Sequence, residues 1–211
     1  MSQITPFQLR KMIPAEEFDY ALLTSALSAY SGVRQKINEL LKAEVIIRVK
    51  KGLYVFGPDY NQAPVCKELL ANLIYGPSYI SLEYALSFHG LIPERVETLT
   101  SVTIQRDKRF KTPIGNFTYR YLGVEKYSSE IQQVMIDQTH PVLMASPEKA
   151  LCDYIALNKI RHISSADQAI EFLESDLRID EQNWRNLSAE KLAQINSVYR
   201  NTSIEWILKT L

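Results

Sequence analysis

The stretch SGVRQKINELLKAEVIIRVKKGLYVF, residues 31–56, decides the fold because its hydrophobic period changes halfway along. Between residues 33 and 41 the apolar side chains recur three or four positions apart, which predicts an amphipathic helix. Residues 45–49 and 53–56 are β-branched and aromatic runs, which are typical of strands. Lys50-Lys51-Gly52 separates the two runs, so a β-hairpin with a basic tip is expected.

A further helix is predicted ahead of this stretch, over residues 18–30. Phe18 and Leu22 begin a run of apolar residues spaced by four, and Pro14 suits the first turn of such a helix. Ser31-Gly32 then interrupts the pattern. Helix, glycine-containing turn, helix and basic-tipped hairpin follow one another in the order of a winged helix-turn-helix.

Gly57-Pro58-Asp59 has turn chemistry and predicts a domain boundary, with domains over residues 1–58 and 59–211. Beyond it, helical and strand patterns are mixed, so we expect an α+β chain in which a winged helix-turn-helix precedes a mixed α+β domain. The predicted later elements are helices over 65–75 and 82–89, strands over 99–104 and 117–121, a helix opened by Ser146-Pro147, and three or four short helices after residue 164.

Charge is segregated along the chain, although 24 Lys and Arg balance 24 Asp and Glu. Residues 1–57 carry a net charge of +3 and residues 95–126 of +4, whereas residues 58–94 carry −3 and residues 127–211 carry −4. A basic segment is the electrostatic signature expected of a nucleic-acid contact. The neutral total therefore does not exclude a DNA partner.

DNA binding needs cations for phosphates and side chains that form paired hydrogen bonds with base edges. Such side chains occur on the outer face of the second helix and around the hairpin tip. The residues expected to bind DNA are Ser31, Arg34, Gln35, Asn38, Lys42, Arg48, Lys50 and Lys51. Each of them taken singly also fits a solvated position on an amphipathic helix or a turn.

A second basic surface is predicted between two strands, on a connecting loop over residues 105–115. Its residues are Arg106, Lys108, Arg109 and Lys111, followed by Arg120 in the next predicted strand. Three interpretations are open: a second contact with the DNA backbone, a docking site for an acidic partner, or a loop kept soluble by its charge.

Catalytic signatures are missing from the sequence: it contains no glycine-rich phosphate loop, HExxH, GxSxG or CxxC motif. His89, His140 and His162 lack the spacing of metal ligands, and Cys66 and Cys152 fit buried free thiols. We therefore expect no enzymatic activity, no metal and no cofactor. No apolar run is long enough to span a membrane and no signal peptide is evident, so a cytoplasmic protein without a membrane partner is expected.

Four blocks of the chain resemble the AbiEi-type antitoxins of type IV, abortive-infection toxin–antitoxin systems. Together they extend over about residues 31–157. The blocks are the basic wing with Gly-x-Tyr at Lys50–Tyr54, the helix-like stretch Tyr79–Leu86 running into His89–Glu94, the hairpin Phe110–Tyr121, and Ala145–Leu151.

The resemblance implies an N-terminal winged helix that binds operator DNA and represses its own promoter, with base-reading and wing roles at Arg34, Gln35, Asn38, Lys50 and Lys51. It also implies a C-terminal domain that counters a nucleotidyltransferase-like toxin without forming a tight complex with it. The sequence departs from the family at Ala43-Glu44, where a glycine would end the recognition helix, and at Cys152, where an aliphatic residue is usual.

Three alternatives stay open alongside this interpretation. The winged helix could have lost DNA binding and serve as a protein-interaction module. The chain could be an orphan transcriptional regulator with no toxin. It could also be a DNA-linked enzyme that uses the basic loop at residues 105–111.

Overall fold

A computed structural model describes residues 4–161 and 163–211 of the protein. The N-terminal part combines three helices with a small antiparallel sheet whose strand order is β1-β3-β2. Its elements are α1 (Pro6–Met12), β1 (Glu17–Asp19), α2 (Tyr20–Ala26), α3 (Val33–Lys42), β2 (Ile46–Lys50) and β3 (Leu53–Phe56).

The C-terminal part is built on a six-stranded mixed sheet of order β6-β7-β5-β4-β9-β8. Its neighbouring strands are antiparallel except for the parallel pairs β5–β7 and β4–β9. Its elements are α4 (Lys67–Ile74), β4 (Ser78–Ile80), α5 (Leu82–Phe88), β5 (Leu99–Thr103), β6 (Lys108–Thr112), β7 (Gly115–Tyr121), α6 (Val124–Tyr127), β8 (Ile131–Met135), β9 (Pro141–Ala145), α7 (Pro147–Leu157), α8 (Ala166–Glu171), a π-helical turn (Phe172–Asp176), α9 (Glu181–Arg185), α10 (Ala189–Tyr199) and α11 (Thr202–Leu208). The chain is therefore α+β, as predicted.

The predicted helix over residues 18–30 is wrong at its start, because Phe18 lies in strand β1. Phe18 pairs with Tyr54 of β3, and its ring lies 4.9 Å from that of Phe56. Tertiary packing of an aromatic residue against a hairpin outweighs its spacing along a helix. Helix α2 begins only at Tyr20, where the Asp19 carboxylate accepts the Leu22 amide proton as an N-cap.

The predicted second helix and hairpin are confirmed as α3, β2 and β3. Where a glycine was expected after α3, Glu44 adopts a left-handed backbone with φ of 54°. The Glu44 and Val45 amides donate to the Leu41 and Leu40 carbonyls, which is the Schellman arrangement that glycine usually occupies. A Cβ at Gly57 would come 1.9 Å from the Glu44 carbonyl oxygen, so the close approach that ends the hairpin requires glycine there.

The predicted loop over residues 105–115 is wrong at Lys108–Thr112, which form strand β6, whereas the hairpin Phe110–Tyr121 implied by the resemblance is present as part of the β6–β7 pair. Phe110 pairs with Phe117 of β7, and its ring lies 5.7 Å from that of Tyr119. This packing turns a strongly basic segment into a strand at the edge of the sheet. Strand β4, which overlaps the start of the block taken as helix-like, and the β8–β9 hairpin were not predicted.

Helix α7 begins as predicted, with the Ser146 hydroxyl accepting the Lys149 amide proton and Pro147 in the first turn. The short C-terminal helices are confirmed. Ser81 occupies the N-cap position of α5 as expected, but its hydroxyl is directed elsewhere and donates to Asp153.

The three-stranded sheet lies between two hydrophobic clusters. One face contributes Tyr54 and Phe56 to a small cluster with the N-terminal helices. The other face contributes Val49, Leu53 and Val55 to the large cluster that fills the C-terminal part. The hairpin is therefore part of both cores, and the predicted boundary after residue 58 stays a prediction.

Two buried carboxylates bind the segment that connects the two parts. Glu16 accepts the Gln62 and Ala63 amides at 2.9 and 2.8 Å, and Glu17 accepts the Cys66 amide at 2.5 Å. These are charge-assisted bonds to backbone donors, which are stronger than neutral ones.

A buried polar cluster is centred on Asp153 of α7. Its carboxylate accepts the hydroxyl protons of Tyr79 at 2.9 Å and Ser81 at 2.7 Å, and that of Tyr199. The Lys149 ammonium, which is fully buried, lies 3.0 Å from the same carboxylate. Burial lowers the pKa of Lys149, and the neighbouring Asp153 opposes that change. The cluster joins β4, α5, α7 and α10.

Replacing Asp153 by alanine should destabilise the protein by about 3–5 kcal/mol, because the Lys149 charge would stay buried without its counter-charge. The Lys149→Met/Asp153→Ala double variant should recover part of this loss in urea denaturation. Asp59→Ala, at an exposed position, is the control and should change stability little. A double variant less stable than Asp153→Ala would contradict this account.

His140 joins the β8–β9 turn to the N-terminal sheet. Its Nε2 lies 3.4 Å from the Glu17 carboxylate and its Nδ1 lies 2.6 Å from that of Asp137. Partial burial opposes protonation, but the bonds and charges of the two carboxylates prevail and raise the pKa of His140 above its ordinary value. Because the folded state holds the proton more tightly, this stabilisation is complete below the unfolded pKa of about 6.5 and declines as pH rises through the folded value.

His140→Gln should therefore cost more stability at pH 5.5 than at pH 8.5, as measured by thermal or urea unfolding at both values. Glutamine keeps a hydrogen-bonding side chain but cannot become charged. A difference between wild type and variant that does not change with pH would exclude the charged form of His140 as the stabilising species.

Candidate nucleic-acid interface

A groove of about 800 Å³ lies between helix α3 and the β2–β3 hairpin. Four residues predicted to bind DNA, Arg34, Asn38, Arg48 and Lys51, are brought together in it. The eight described residues that line the groove are Tyr20, Arg34, Ile37, Asn38, Arg48, Lys51, Gly52 and Tyr54. None of these eight is acidic, and three of them, Arg34, Arg48 and Lys51, are cations, so the groove combines basic groups with an apolar and aromatic lining.

Local folding explains how these side chains reach the groove. Helix α3 buries Ile37 against the small core, which leaves Arg34 and Asn38 on its exposed side, one turn apart. On the opposite wall, the Arg48 guanidinium lies 5.8 Å from the centre of the Tyr54 ring, a cation–π contact that orients it. Tyr54 thus orients Arg48 on the hairpin side of the groove.

The hairpin tip is formed by Lys51 and Gly52. Gly52 has a φ of 87°, which glycine adopts without strain, so the two strands reverse over these two residues. Lys51 is exposed at this tip and faces the groove.

Ser31, Gln35 and Lys42 lie outside the main groove. Ser31 and Gln35 line a shallower depression at the start of α3, together with Arg34. The Gln35 amide donates to Glu39 at 3.3 Å, and Lys42 is exposed in the last turn of the helix. The structure therefore does not bring these three residues into the main groove.

Lys50 is directed away from the groove, towards the C-terminal part. Its ammonium donates to the carbonyl of Ile74 at the end of α4. Burial, followed by the positive charge of Lys108, lowers the pKa of Lys50. The prediction of Lys50 as a wing residue equivalent to Lys51 therefore does not match its position.

The second basic surface lies on and beside the edge strand β6. Lys108, Arg109 and Lys111 are exposed on this strand, and Arg106 is exposed just before it. Arg120 is engaged differently: it donates to the Leu157 carbonyl at 3.0 Å. Four of the five predicted residues are therefore exposed at this edge.

The two basic segments meet in space. The Lys108 ammonium lies 5.1 Å from the centre of the Tyr75 ring, and Lys50 donates to the carbonyl of Ile74, the preceding residue. Basic residues separated by more than fifty positions in the sequence thus lie around one helix end.

The other polar residues considered in the sequence have structural contacts. Cys66 and Cys152 are buried free thiols, and burial raises the pKa of Cys66 to about 11. His89 Nε2 lies 2.8 Å from the Ala145 carbonyl, and His140 contacts Glu17 and Asp137. His162 lies outside the described residues.

In the described ranges, 4–161 and 163–211, no three or more His, Cys, Asp and Glu side chains are grouped so that they could hold a metal ion. The same ranges contain no helix that is both long enough and apolar enough to span a membrane.

The Asp153 cluster is the polar feature that sequence reasoning missed. Lys149 and Asp153 are four positions apart and so lie on one face of a helix, which was an available signal. Tyr79, Ser81 and Tyr199 come from distant positions, and no local pattern brings them together.

Comparison with known proteins gives a fold but no family. No family model matches the chain, and no curated protein matches it. Among solved structures, the chain is similar to the crystal structure of the RV2827C protein from Mycobacterium tuberculosis, with 13% identity and a TM-score of 0.59. The match covers 100% of this chain and 78% of that one. Over its whole length, then, this chain shares an α+β fold with the mycobacterial protein.

Proposed function

We propose that residues 1–58 form a winged helix-turn-helix that binds double-stranded operator DNA. In this proposal α3 enters the major groove and the β2–β3 hairpin is the wing on the adjacent backbone. The observation that carries the proposal is the groove between these two elements, in which Arg34, Asn38, Arg48 and Lys51 converge and no lining residue is acidic. A surface of this composition is complementary to a polyanion with readable base edges.

The side chains of the groove divide into two roles by chemistry. Arg34 can form a bidentate pair with guanine, and Asn38 can do so with adenine, so these two residues would read sequence. Arg48 and Lys51 lie on the hairpin wall and would bind phosphates, which position the protein without reading bases.

The basic edge formed by Arg106, Lys108, Arg109 and Lys111 would extend the same contact along the DNA backbone. The proximity of Lys108 to Lys50 supports this assignment over docking of an acidic partner, because it makes the edge continuous with the hairpin. Each additional phosphate neutralised would add to the salt dependence of binding.

We further propose that the protein is a transcriptional repressor that regulates its own promoter and acts as the antitoxin of a type IV pair. Support comes from the four blocks that resemble the AbiEi-type antitoxins. Two of these blocks, Tyr79–Leu86 and Ala145–Leu151, contribute Ser81 and Lys149 to the Asp153 cluster, a structural role in the C-terminal core. The proposed role is binding and regulation rather than catalysis, with a nucleotidyltransferase-like toxin countered without a tight complex.

Gel-shift titrations on the DNA upstream of the gene test the DNA-binding proposal. Arg34→Ala and Asn38→Ala should each reduce discrimination between operator and unrelated DNA by about 1–3 kcal/mol, since each removes a paired contact to a base. Lys51→Ala should weaken binding to both DNAs alike and reduce the slope of log K against log salt by about 1.

The matched control is Lys50→Ala, which should change the slope less than Lys51→Ala because the Lys50 ammonium is bound to Ile74. Lys108→Ala should also reduce the slope if β6 lies along the duplex. Lys209→Ala, in the acidic C-terminal segment, should have no effect. Equal, salt-insensitive binding by wild type and the Arg34, Asn38 and Lys51 variants would refute the proposed interface.

Growth assays test the antitoxin proposal. Expression of a nucleotidyltransferase-like gene from the neighbourhood should arrest growth, and co-expression of this chain should restore it. Asp153→Ala should lose the restoration along with stability, whereas Arg34→Ala should retain it because the DNA-reading helix lies apart from the C-terminal core. If this chain counteracts no neighbouring gene product, the antitoxin proposal is refuted and only the DNA-binding proposal remains.

A further inference from the structure

The six-stranded sheet has two edges of opposite character. Edge strand β6 has the sequence KRFKT, with Lys108, Arg109 and Lys111 exposed. Edge strand β8 has the sequence IQQVM and carries no charge. Natural proteins commonly protect a free edge with lysines, charges or prolines, because its unpaired backbone groups attract other strands. Strand β6 has this protection and β8 does not.

The hydrogen-bonding pattern shows which groups of β8 are unpaired. Ser146 N–H donates to the Glu130 carbonyl, and Ile136 N–H donates to the His140 carbonyl, on either side of the β8–β9 ladder. Because bonded pairs alternate in an antiparallel ladder, Gln132 also bonds to β9.

Val134 bonds to β9 in the same way, whereas the N–H and C=O groups of Ile131, Gln133 and Met135 point outwards from the edge. Within the part of the chain that the structure describes, these outward backbone groups have no hydrogen-bond partner.

Exposed apolar side chains accompany the open edge. Gln133 is paired with Leu143 and Met135 with Pro141, so these four side chains share one face of the β8–β9 hairpin. Met135 is 50% exposed and Leu143 is 45% exposed. An apolar face next to unpaired backbone is the combination found where sheets are extended by another strand.

We propose that β8 is a dimerisation edge, which pairs antiparallel with β8 of a second copy of this chain. The two-fold axis would pass beside Gln133, which would face Gln133 of the second copy. Ile131 would then face Met135 of the second copy, and Met135 would face Ile131. All three positions have outward backbone groups, so the pairing would form about six backbone hydrogen bonds.

The sequence of β8 favours a second copy as the partner. Read in both directions, IQQVM opposes Ile to Met, Gln to Val and Gln to Gln, so no like charges meet. The same arrangement at β6 would bring Lys and Arg residues together across the axis, which is unfavourable. An isologous two-fold contact is closed and therefore ends at a dimer. The proposal does not depend on DNA binding.

Sedimentation velocity of the full chain over a range of concentrations tests this pairing. Wild type should be a dimer that dissociates on dilution. Gln133→Lys and Gln133→Glu should each raise the dissociation constant by at least about tenfold, because each places like charges on either side of the axis. An equimolar mixture of the two variants should restore the dimer, since opposite charges then face each other. Gln138→Lys, exposed in the turn after β8, is the control and should leave the dimer unchanged.

The outcomes separate the proposal from its competitors. A wild type that is monomeric at every concentration overturns it. A dimer that both Gln133 variants leave intact places the contact elsewhere and also overturns it. Wild-type species larger than a dimer would show an open contact and contradict the closed two-fold pairing. Circular dichroism of the variants shows whether they fold. A wild type that forms the dimer but does not bind DNA would refute only the function proposed above.

Discussion

The C-terminal core depends on the hydrogen bonds and the ion pair of the buried Asp153 carboxylate. It accepts protons from Tyr79, Ser81 and Tyr199 and balances the charge of the buried Lys149. A charge without water is tolerable only when its remaining lone pairs are also bonded, and here the central sheet and three helices supply the donors. The position of α7 against the sheet is thereby fixed by polar geometry as well as by apolar packing.

The DNA-reading groove proposed above depends on that core through the hairpin. Val49 and Leu53 are packed in the large cluster, while Tyr54, on the other face of the same sheet, orients Arg48 in the groove. One face of the small sheet thus packs against the N-terminal helices, and its other face belongs to the core of the C-terminal part. The hydrogen bond from Lys50 to the Ile74 carbonyl also connects the hairpin to the end of α4.

Local patterns predicted the elements that are determined locally. Helix α3, the β2–β3 hairpin and the start of α7 follow from apolar period, turn residues and capping, and four residues of the groove could be named from them. Features that depend on distant partners could not be predicted. Phe18 is a strand residue because it pairs with β3 and contacts Phe56. The orientation of Lys50 is likewise set by a helix that follows it in the chain.

The double-sided packing of the hairpin has a consequence for modularity. If the chain were cut after residue 58, the Val49, Leu53 and Val55 side chains would lose the apolar partners that cover them. At roughly 25 cal/mol per Å² of apolar surface, uncovering three such residues costs several kcal/mol, an appreciable share of the stability of a small domain. The N-terminal part would then expose an apolar surface and be prone to aggregation rather than fold as an independent domain. This architecture therefore resists the exchange of the N-terminal part between proteins, because the β2–β3 hairpin that lines the groove is also a wall of the neighbouring core.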